Sequence, residues 1–176
     1  MKQQLPKAIS RTLNKIAFSP SAVNGATTLI GPFATSGVLK SEFSGSVPTY
    51  AELLAMKGKI MGAGVENDGT LAYVMTETMK AVLEATPKDQ GSGLMIIQND
   101  AINGVPVLCT NYVGEDNIGL GVWSYFPMGQ FGNIRMTIDP LSKSREDVID
   151  CVINTDAGST VLRKEAFCMY SVNNEA

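Results

Sequence analysis

The side chains that most often carry out chemistry in proteins are few in this sequence and widely spaced. Histidine is absent from all 176 residues, which removes the commonest general base, the commonest metal ligand and any Ser-His or Cys-His pair. The three cysteines, Cys109, Cys151 and Cys168, are far apart along the chain. An odd number of scattered cysteines predicts reduced thiols buried in the core and no disulfide framework.

Two groups of carboxylates remain as candidates for a metal or acid–base site. Glu146, Asp147 and Asp150 are close in sequence. In a strand, however, Asp147 and Asp150 point to opposite faces, so we expect solvated surface charges there. Glu115 and Asp116 fall in a predicted turn and are expected to be loop charges. The sequence therefore predicts no enzyme, no metal site and no cofactor.

The glycine-rich motifs also indicate no cofactor site. Gly62-Ala63-Gly64 and Gly119-Leu120-Gly121 resemble fragments of the dinucleotide-binding fingerprint, but each lacks the third glycine and neither opens a helix after a strand. We interpret the first as a helix end and the second as part of a strand. The sequence contains no P-loop, nucleophile elbow or zinc-ligand spacing.

The composition is that of an ordinary globular protein. Hydrophobic residues make up 44% and charged residues 18%, with a net charge of −3. A protein that binds nucleic acid strongly usually has a basic surplus or a basic stripe. We identify neither in the sequence, so we expect no sequence-specific nucleic-acid binding. The polar N-terminus predicts no signal peptide, and no apolar run approaches the ~20 residues that span a bilayer. We therefore expect a protein that folds in the cytosol and does not bind membranes.

The helix signals come early in the chain. Apolar residues at helical spacing predict a helix over residues 5–17, followed by a long irregular connection to residue 47 with one short strand at 27–30. Thr49 and Glu52 form a capping box that opens a second helix. Thr76 is placed to cap a third helix, which Pro87 ends. Methionines at 56, 61, 75, 79 and 95 are expected to fill the core.

The strand signals come mostly late. Predicted strands cover residues 71–75, 94–98, 105–110, 118–126, 133–139, 148–155, 160–163 and 166–172. Asn103-Gly104 and Asp156-Ala157-Gly158 are predicted turns, and Trp123 is expected in mid-strand, packed under a helix or against a neighbouring subunit. Early helices followed by strands, with pairing over long sequence separations, indicate an α+β fold.

Several segments, in order, resemble the major capsid proteins of tailed bacteriophages, a family whose fold encapsulin nanocompartments share. They are the helix at 5–17 with the passage to Ser36-Gly37-Val38-Leu39, the helix–strand–helix at 50–83, Ile102-Asn103-Gly104-Val105-Pro106-Val107, Ile118-Gly119-Leu120-Gly121-Val122-Trp123, and the closing strands with Glu165-Ala166-Phe167. Val122 departs from the pattern, because the family usually has an acidic residue there.

The resemblance implies an α+β phage major-capsid-like fold. It would contain an axial domain, with a mixed sheet flanked by helices, and part of a peripheral domain with a β-sheet. We expect residues 1–48 and 132–176 to be peripheral and residues 49–131 to be axial. The family's N-terminal arm, extended loop and long spine helix have no counterpart in the sequence, so we expect a truncated chain or a prophage remnant.

The function that the resemblance implies is a non-enzymatic subunit of an icosahedral virion shell, assembled as pentamers and hexamers around phage DNA in the host cytoplasm. Its partners would be other copies of itself, with scaffolding, maturation protease and portal proteins. We expect Lys88, Asp89, Glu115 and Asp116, on two loops, to make contacts between subunits. The alternatives are an encapsulin-like shell protein and a small cytosolic ligand-binding domain, which would need a deep polar pocket.

Overall fold

The computed structural model describes residues 4–23, 29–89, 91, 93–139 and 150–172. The helices are α1 (Gln4–Phe18), α2 (Tyr50–Gly62) and α3 (Glu77–Ala85), with short 3-10 turns at Pro32–Ala34, Asn111–Val113, Trp123–Tyr125 and Lys164–Ala166. The strands are β1 (Leu39–Phe43), β2 (Leu71–Met75), β3 (Ala101–Ile102), β4 (Val105–Cys109), β5 (Asn117–Val122), β6 (Met128–Asp139), β7 (Asp150–Ser159) and β8 (Phe167–Val172). This mixture of helices and sheet confirms the predicted α+β class.

A six-stranded sheet in the order β1-β8-β5-β2-β4-β3 organises the main body. Strand β5 is antiparallel to both β2 and β8, whereas β1–β8 and β2–β4 are parallel pairs. Strands β6 and β7 form a separate two-stranded sheet. Parallel neighbours need a crossover connection, which α3 supplies between β2 and β4.

The two faces of the sheet are filled in different ways. On one face the Tyr73 hydroxyl donates to the carbonyl of Leu53 in α2 at 2.7 Å. On the other face, small residues make room for aromatic rings. A Cβ added to Gly119 would lie 2.3 Å from Cζ of Phe33, and one added to Gly121 would lie 2.3 Å from Cδ1 of Phe167. The glycines of the 119–121 motif therefore serve ring packing within a strand.

Helix α2 begins at the predicted capping box, which is confirmed. The Glu52 amide donates to the Thr49 hydroxyl at 3.4 Å, and the Glu52 carboxylate accepts from the Thr49 amide at 2.9 Å. The same carboxylate also accepts from the Ser44 amide and hydroxyl. At the other end of α2, the Arg163 guanidinium donates to the carbonyls of Ala63 and Gly64 at 2.8 and 3.1 Å. Both ends of the helix are thus satisfied by side chains.

The capping box makes stability depend on pH. Burial raises the pKa of Glu52, but hydrogen bonds from Ser44 and Thr49 outweigh it and lower the pKa to about 2. Because the folded-state pKa lies below the unfolded value, this stabilisation is complete above about pH 4.5 and is lost as pH falls toward 2. Glu52→Gln should cost about 1 kcal/mol at pH 7. Urea titrations of both proteins should show that difference shrinking below pH 4; a constant difference would contradict the assignment.

The turn at Asn103-Gly104 is also confirmed, since it joins β3 to β4 with φ values of 49° and 76°. The strand predicted at 94–98 was wrong. Only single bridges form there, Pro87 with Met95 and Gln98 with Ala101. Asn99 and Asp100 both have positive φ, which interrupts extended backbone. Met95 is accordingly 38% exposed and does not fill the core.

Other differences from the predicted elements reflect non-local pairing. Strand β1 lies in the stretch predicted to be irregular, and it is held by parallel pairing with the distant β8. Half of the strand expected at 27–30 lies outside the described residues, and its other half, Leu29 and Ile30, forms no strand. The turn predicted at 156–158 lies inside β7, and 160–163 forms no strand. The predicted axial and peripheral ranges stay a prediction, but the six-stranded sheet takes strands from all three of them.

Candidate assembly surfaces

The β6–β7 ribbon is the most exposed regular structure in the described chain. Its strands pair from Met128 with Ser159 to Asp139 with Asp150, with an irregularity between Phe131 and Arg135. Eleven of the twelve β6 residues are exposed. Isolated two-stranded sheets are marginally stable in water, and their unpaired edges offer hydrogen bonds to further strands. The ribbon is therefore suited to pairing with more protein.

One face of the ribbon is apolar along β6. Met136 pairs with Ile153, and residue alternation places Ile138 on the same face. The side chains of Met136 and Ile138 are 54% and 56% exposed. The opposite face has an exposed ion pair, in which Arg135 contacts Asp156 at 2.6 Å. Surfaces rich in exposed aliphatic side chains mark sites of protein contact, so the apolar face is the stronger candidate for assembly.

Helix α1 lies against the β7 part of this face. Ile9, Leu13 and Ile16 line a groove of about 400 Å³ whose other wall includes Ile153 and Ala157 of β7. The groove is partly open and mostly apolar, and no titratable side chain lines it. It therefore lacks the deep polar pocket that the ligand-binding alternative requires.

An aromatic cluster joins α1 to the sheet. The Trp123 ring contacts Phe18, Phe33 and Phe167 edge-on, at centroid distances of 5.2, 5.9 and 5.6 Å. Such edge-to-face pairs add stability beyond the area that they bury. Trp123 belongs to a 3-10 turn after β5, so its predicted mid-strand position was wrong. Its predicted packing role within the chain fits the cluster.

The four predicted contact residues lie on two separate loops. Lys88 follows α3, and its Nζ lies 4.1 Å from the centroid of the Tyr50 ring at the start of α2. Asp89 is the exposed neighbour of Lys88. Glu115 and Asp116 are exposed before β5, where the Asp116 carbonyl accepts from the Val172 amide at 2.7 Å. The structure thus places charges of both signs on exposed loops, and their contact with other subunits stays a prediction.

The chemistry-bearing side chains are scattered. Local desolvation and a hydrogen bond with Glu77 raise the pKa of Cys109 to about 11. Burial raises the pKa of Cys168 to about 12. Cys109 is exposed, so its prediction as a core thiol was wrong, whereas Cys168 is buried as predicted. Both thiols are protonated at neutral pH and are poor nucleophiles.

The residues with described positions form neither a metal site nor a membrane-spanning helix. Among them, no three His, Cys, Asp or Glu side chains are arranged to hold a metal ion. In the same part of the chain, no helix is long and apolar enough to cross a bilayer. Glu146 and Asp147 lie outside the described residues.

Sequence reasoning did not single out the exposed apolar face of β6. The signal was present, because Arg135-Met136-Thr137-Ile138-Asp139 alternates polar with apolar residues. Alternation predicts a strand with one buried face. It cannot show that no other part of the described chain covers that face.

Comparisons with known proteins agree with the architecture. A curated major capsid protein of Halomonas phage phiHAP-1 is 23% identical over 118 residues, which cover 67% of this chain and 19% of that protein. The capsid of an empty GTA particle matches with 12% identity and a TM-score of 0.72 over 97% of this chain and 64% of the other. Gordonia phage Cozz matches with 16% identity and a TM-score of 0.67 over 98% and 62%.

A shell protein of another kind has the same fold. The SrpI encapsulin complex from Synechococcus elongatus PCC 7942 matches with 10% identity and a TM-score of 0.63, over 96% of this chain and 63% of the other. The chain therefore spans less than two thirds of the length of these structures. The sequence profile of the phage capsid family matches residues 3–172, nearly the whole chain, and the protein belongs to that family.

Proposed function

We propose that this protein is a structural, non-enzymatic subunit of an icosahedral phage shell that assembles as pentamers and hexamers around DNA. The family match over residues 3–172 carries the proposal. The exposed β6–β7 ribbon supports it, because a shell subunit needs large surfaces that only neighbours cover. The location that follows is the virion capsid, assembled in the cytoplasm of a bacterial host with scaffolding, protease and portal proteins.

The apolar face of β6 is the surface that we assign to a neighbouring copy of the same protein. Met136 and Ile138 are half exposed, and both edges of the ribbon lack a strand partner among the described residues. A neighbour that adds a strand would satisfy the edge and cover the aliphatic side chains together. Repeated around a symmetry axis, even a modest contact favours a closed shell, because each subunit makes several at once.

The axial role belongs to the loops with Lys88, Asp89, Glu115 and Asp116. Charges of opposite sign on two loops can pair between adjacent subunits around an axis. Exposed ion pairs contribute only about 0–1 kcal/mol each, so these contacts would set the orientation of subunits more than their affinity. Residues 49–131, which contain both loops, would then lie nearest the axis.

A charge exchange tests this axial assignment. Lys88→Glu and Glu115→Lys should each lower the yield of pentamers and hexamers, because each places like charges together. The double variant Lys88→Glu/Glu115→Lys should recover much of the yield, as measured by native mass spectrometry of the full-length protein. Equal assembly of all four proteins, or a double variant worse than either single variant, would contradict direct pairing of the loops.

An encapsulin-like compartment is the second candidate, because the SrpI encapsulin matches over nearly the whole chain. Electron microscopy of particles purified after expression of the complete gene separates the possibilities. Closed shells or five- and six-membered rings support the shell function, and dispersed monomers would overturn it. Nuclease-protected DNA within shells made alongside the phage proteins favours the capsid, whereas a co-purified enzyme cargo favours the compartment.

A further inference from the structure

Helix α1 carries a cationic stripe, contrary to the expectation that the chain has none, and the proposed shell function leaves its role unassigned. Lys7, Arg11 and Lys15 are four residues apart, so they follow one another along one side of the helix. At 1.5 Å per residue, they span about 12 Å. Residues 4–18 contain no aspartate or glutamate. The stripe is therefore a local concentration of positive charge in a chain whose net charge is −3.

The stripe points away from the rest of the described structure. The apolar side of α1, with Ile9, Leu13 and Ile16, lines the groove against β7. In helical projection, this apolar side lies nearly opposite the cations. Lys7, Arg11 and Lys15 are all exposed, and the ion pairs formed among described residues do not include them.

The side chains around the stripe indicate what kind of partner fits it. Ser10 and Asn14 flank the cations on the same side of α1, and no large apolar side chain lies between Lys7 and Lys15 on it. Phe18, which continues this side at the end of the helix, packs against Trp123 within the chain. Protein interfaces are anchored by buried aromatic or aliphatic side chains, which this side lacks. Lysine, arginine, serine and asparagine are the side chains that contact nucleic-acid phosphates.

We propose that the outer side of α1 binds the phosphate backbone of double-stranded DNA without reading its sequence. Duplex DNA carries one negative charge per about 1.7 Å of axis. Three cations spread over about 12 Å can therefore contact several phosphates at once. The inference rests on the proposed function in one respect, since a phage shell brings α1 close to DNA when α1 lines the interior. Binding is weak per subunit and accumulates over many copies.

The first test measures binding of the chain to a fluorescent duplex by anisotropy at several salt concentrations. Lys7→Gln/Arg11→Gln/Lys15→Gln should lower affinity at least tenfold at low salt and reduce the slope of log K against log salt by about 2 to 3. Lys40→Gln/Lys57→Gln/Lys164→Gln removes the same charge elsewhere and should retain most binding. Lys7→Arg/Lys15→Arg keeps the charge and should bind as the wild type does.

The outcomes distinguish this inference from the shell function. Undiminished DNA binding by the α1 triple variant, or an equal loss in the control triple variant, would overturn the assignment to α1. Binding of poly-glutamate as tightly as of DNA would instead indicate an acidic protein partner and would also overturn it. Electron microscopy of the same variants measures shell formation separately. Shells that form but retain less DNA support the inference. Absence of shells from the wild-type protein contradicts only the shell function.

Discussion

Gly119→Ala is expected to destabilise the protein by about 1–3 kcal/mol, which is the usual cost of forcing an extra methyl group into a packed core. The added Cβ would lie 2.3 Å from Cζ and 2.8 Å from Cε1 of Phe33, a ring that is completely buried. Phe33 cannot swing away freely, because its ring also packs against Trp123 and Phe167. A domain of this size has only about 5–15 kcal/mol of stability, so one methyl group would remove a substantial part.

A double-mutant cycle shows whether the clash with Phe33 is the cause. Phe33→Leu by itself leaves a void and should also destabilise, but it shortens the side chain that meets the new methyl group. Phe33→Leu/Gly119→Ala should then be more stable than the sum of the single effects by at least ~1 kcal/mol. Additive effects would mean that Gly119 is required for some reason other than space beneath Phe33.

The matched control is Gly62→Ala, in α2. Apart from its chain neighbours and the backbone of its own helix, no atom lies within 4 Å of a Cβ at this position, and its φ is not positive. Because alanine is favoured over glycine in a helix by about 0.5–1 kcal/mol, this change should stabilise or leave stability unchanged. Urea denaturation followed by circular dichroism measures the stability of the four variants and the wild type. Fluorescence of the single tryptophan, Trp123, reports separately on the cluster.

Ile138→Lys should lower the yield of closed shells at least about tenfold in the full-length protein, the effect of roughly 1.4 kcal/mol per contact. Ile138 is 56% exposed in the chain, so lysine is tolerated in the free subunit. When a neighbour covers the apolar face of β6, the ammonium group must leave water without a partner, at a cost of several kcal/mol. The loss would therefore appear in assembly and leave the melting temperature of the free subunit nearly unchanged.

Thr137→Lys is the control, because Thr137 is the exposed neighbour of Ile138 on the other face of β6. It adds the same charge one residue away and should assemble with a yield near that of the wild type. Sedimentation velocity gives the fractions in shells and free subunits. Normal shells from Ile138→Lys, or equal losses from both variants, would argue against the apolar face. A subunit that unfolds would show that another segment of the same protein covers it.

The core and the proposed assembly surface place different side chains on the two sheets. In β5, Gly119 and Gly121 have no side chains, and the rings of Phe33 and Phe167 therefore have room to lie against the sheet. In β6, the aliphatic side chains stay outside any core that the described residues form. The described residues thus form a packed core around the six-stranded sheet and leave the aliphatic side chains of β6 exposed.

Local signals predicted the elements whose determinants are close in sequence. The capping box of Thr49 and Glu52, the Thr76 cap and the Asn103-Gly104 turn each depend on side chains within a few residues, and all three occur as predicted. The family resemblance, confirmed over residues 3–172, also depends on the order of local motifs along the chain.

Elements that depend on distant partners were predicted less well. Strand β1 was missed because its polar sequence, Leu-Lys-Ser-Glu-Phe, is extended only through pairing with β8, more than 120 residues later. The turn expected at 156–158 became part of β7 because Ala157 and Gly158 pair with Gln130 and Gly129. Small flexible residues favour a turn in isolation, but ladder hydrogen bonds with β6 keep this segment extended.

The sequence by itself determined the class of the fold, the ends of two helices, the tight turn of the β3–β4 hairpin and the absence of histidine chemistry. Only the tertiary structure decided that Gly119 and Gly121 lie beneath aromatic rings and that the side of α1 bearing Lys7, Arg11 and Lys15 is exposed. It also decided that the described residues leave the apolar face of β6 uncovered. The physical reason is that caps and turns are set by hydrogen bonds within a few residues. Burial, in contrast, depends on which distant segments arrive to cover each face.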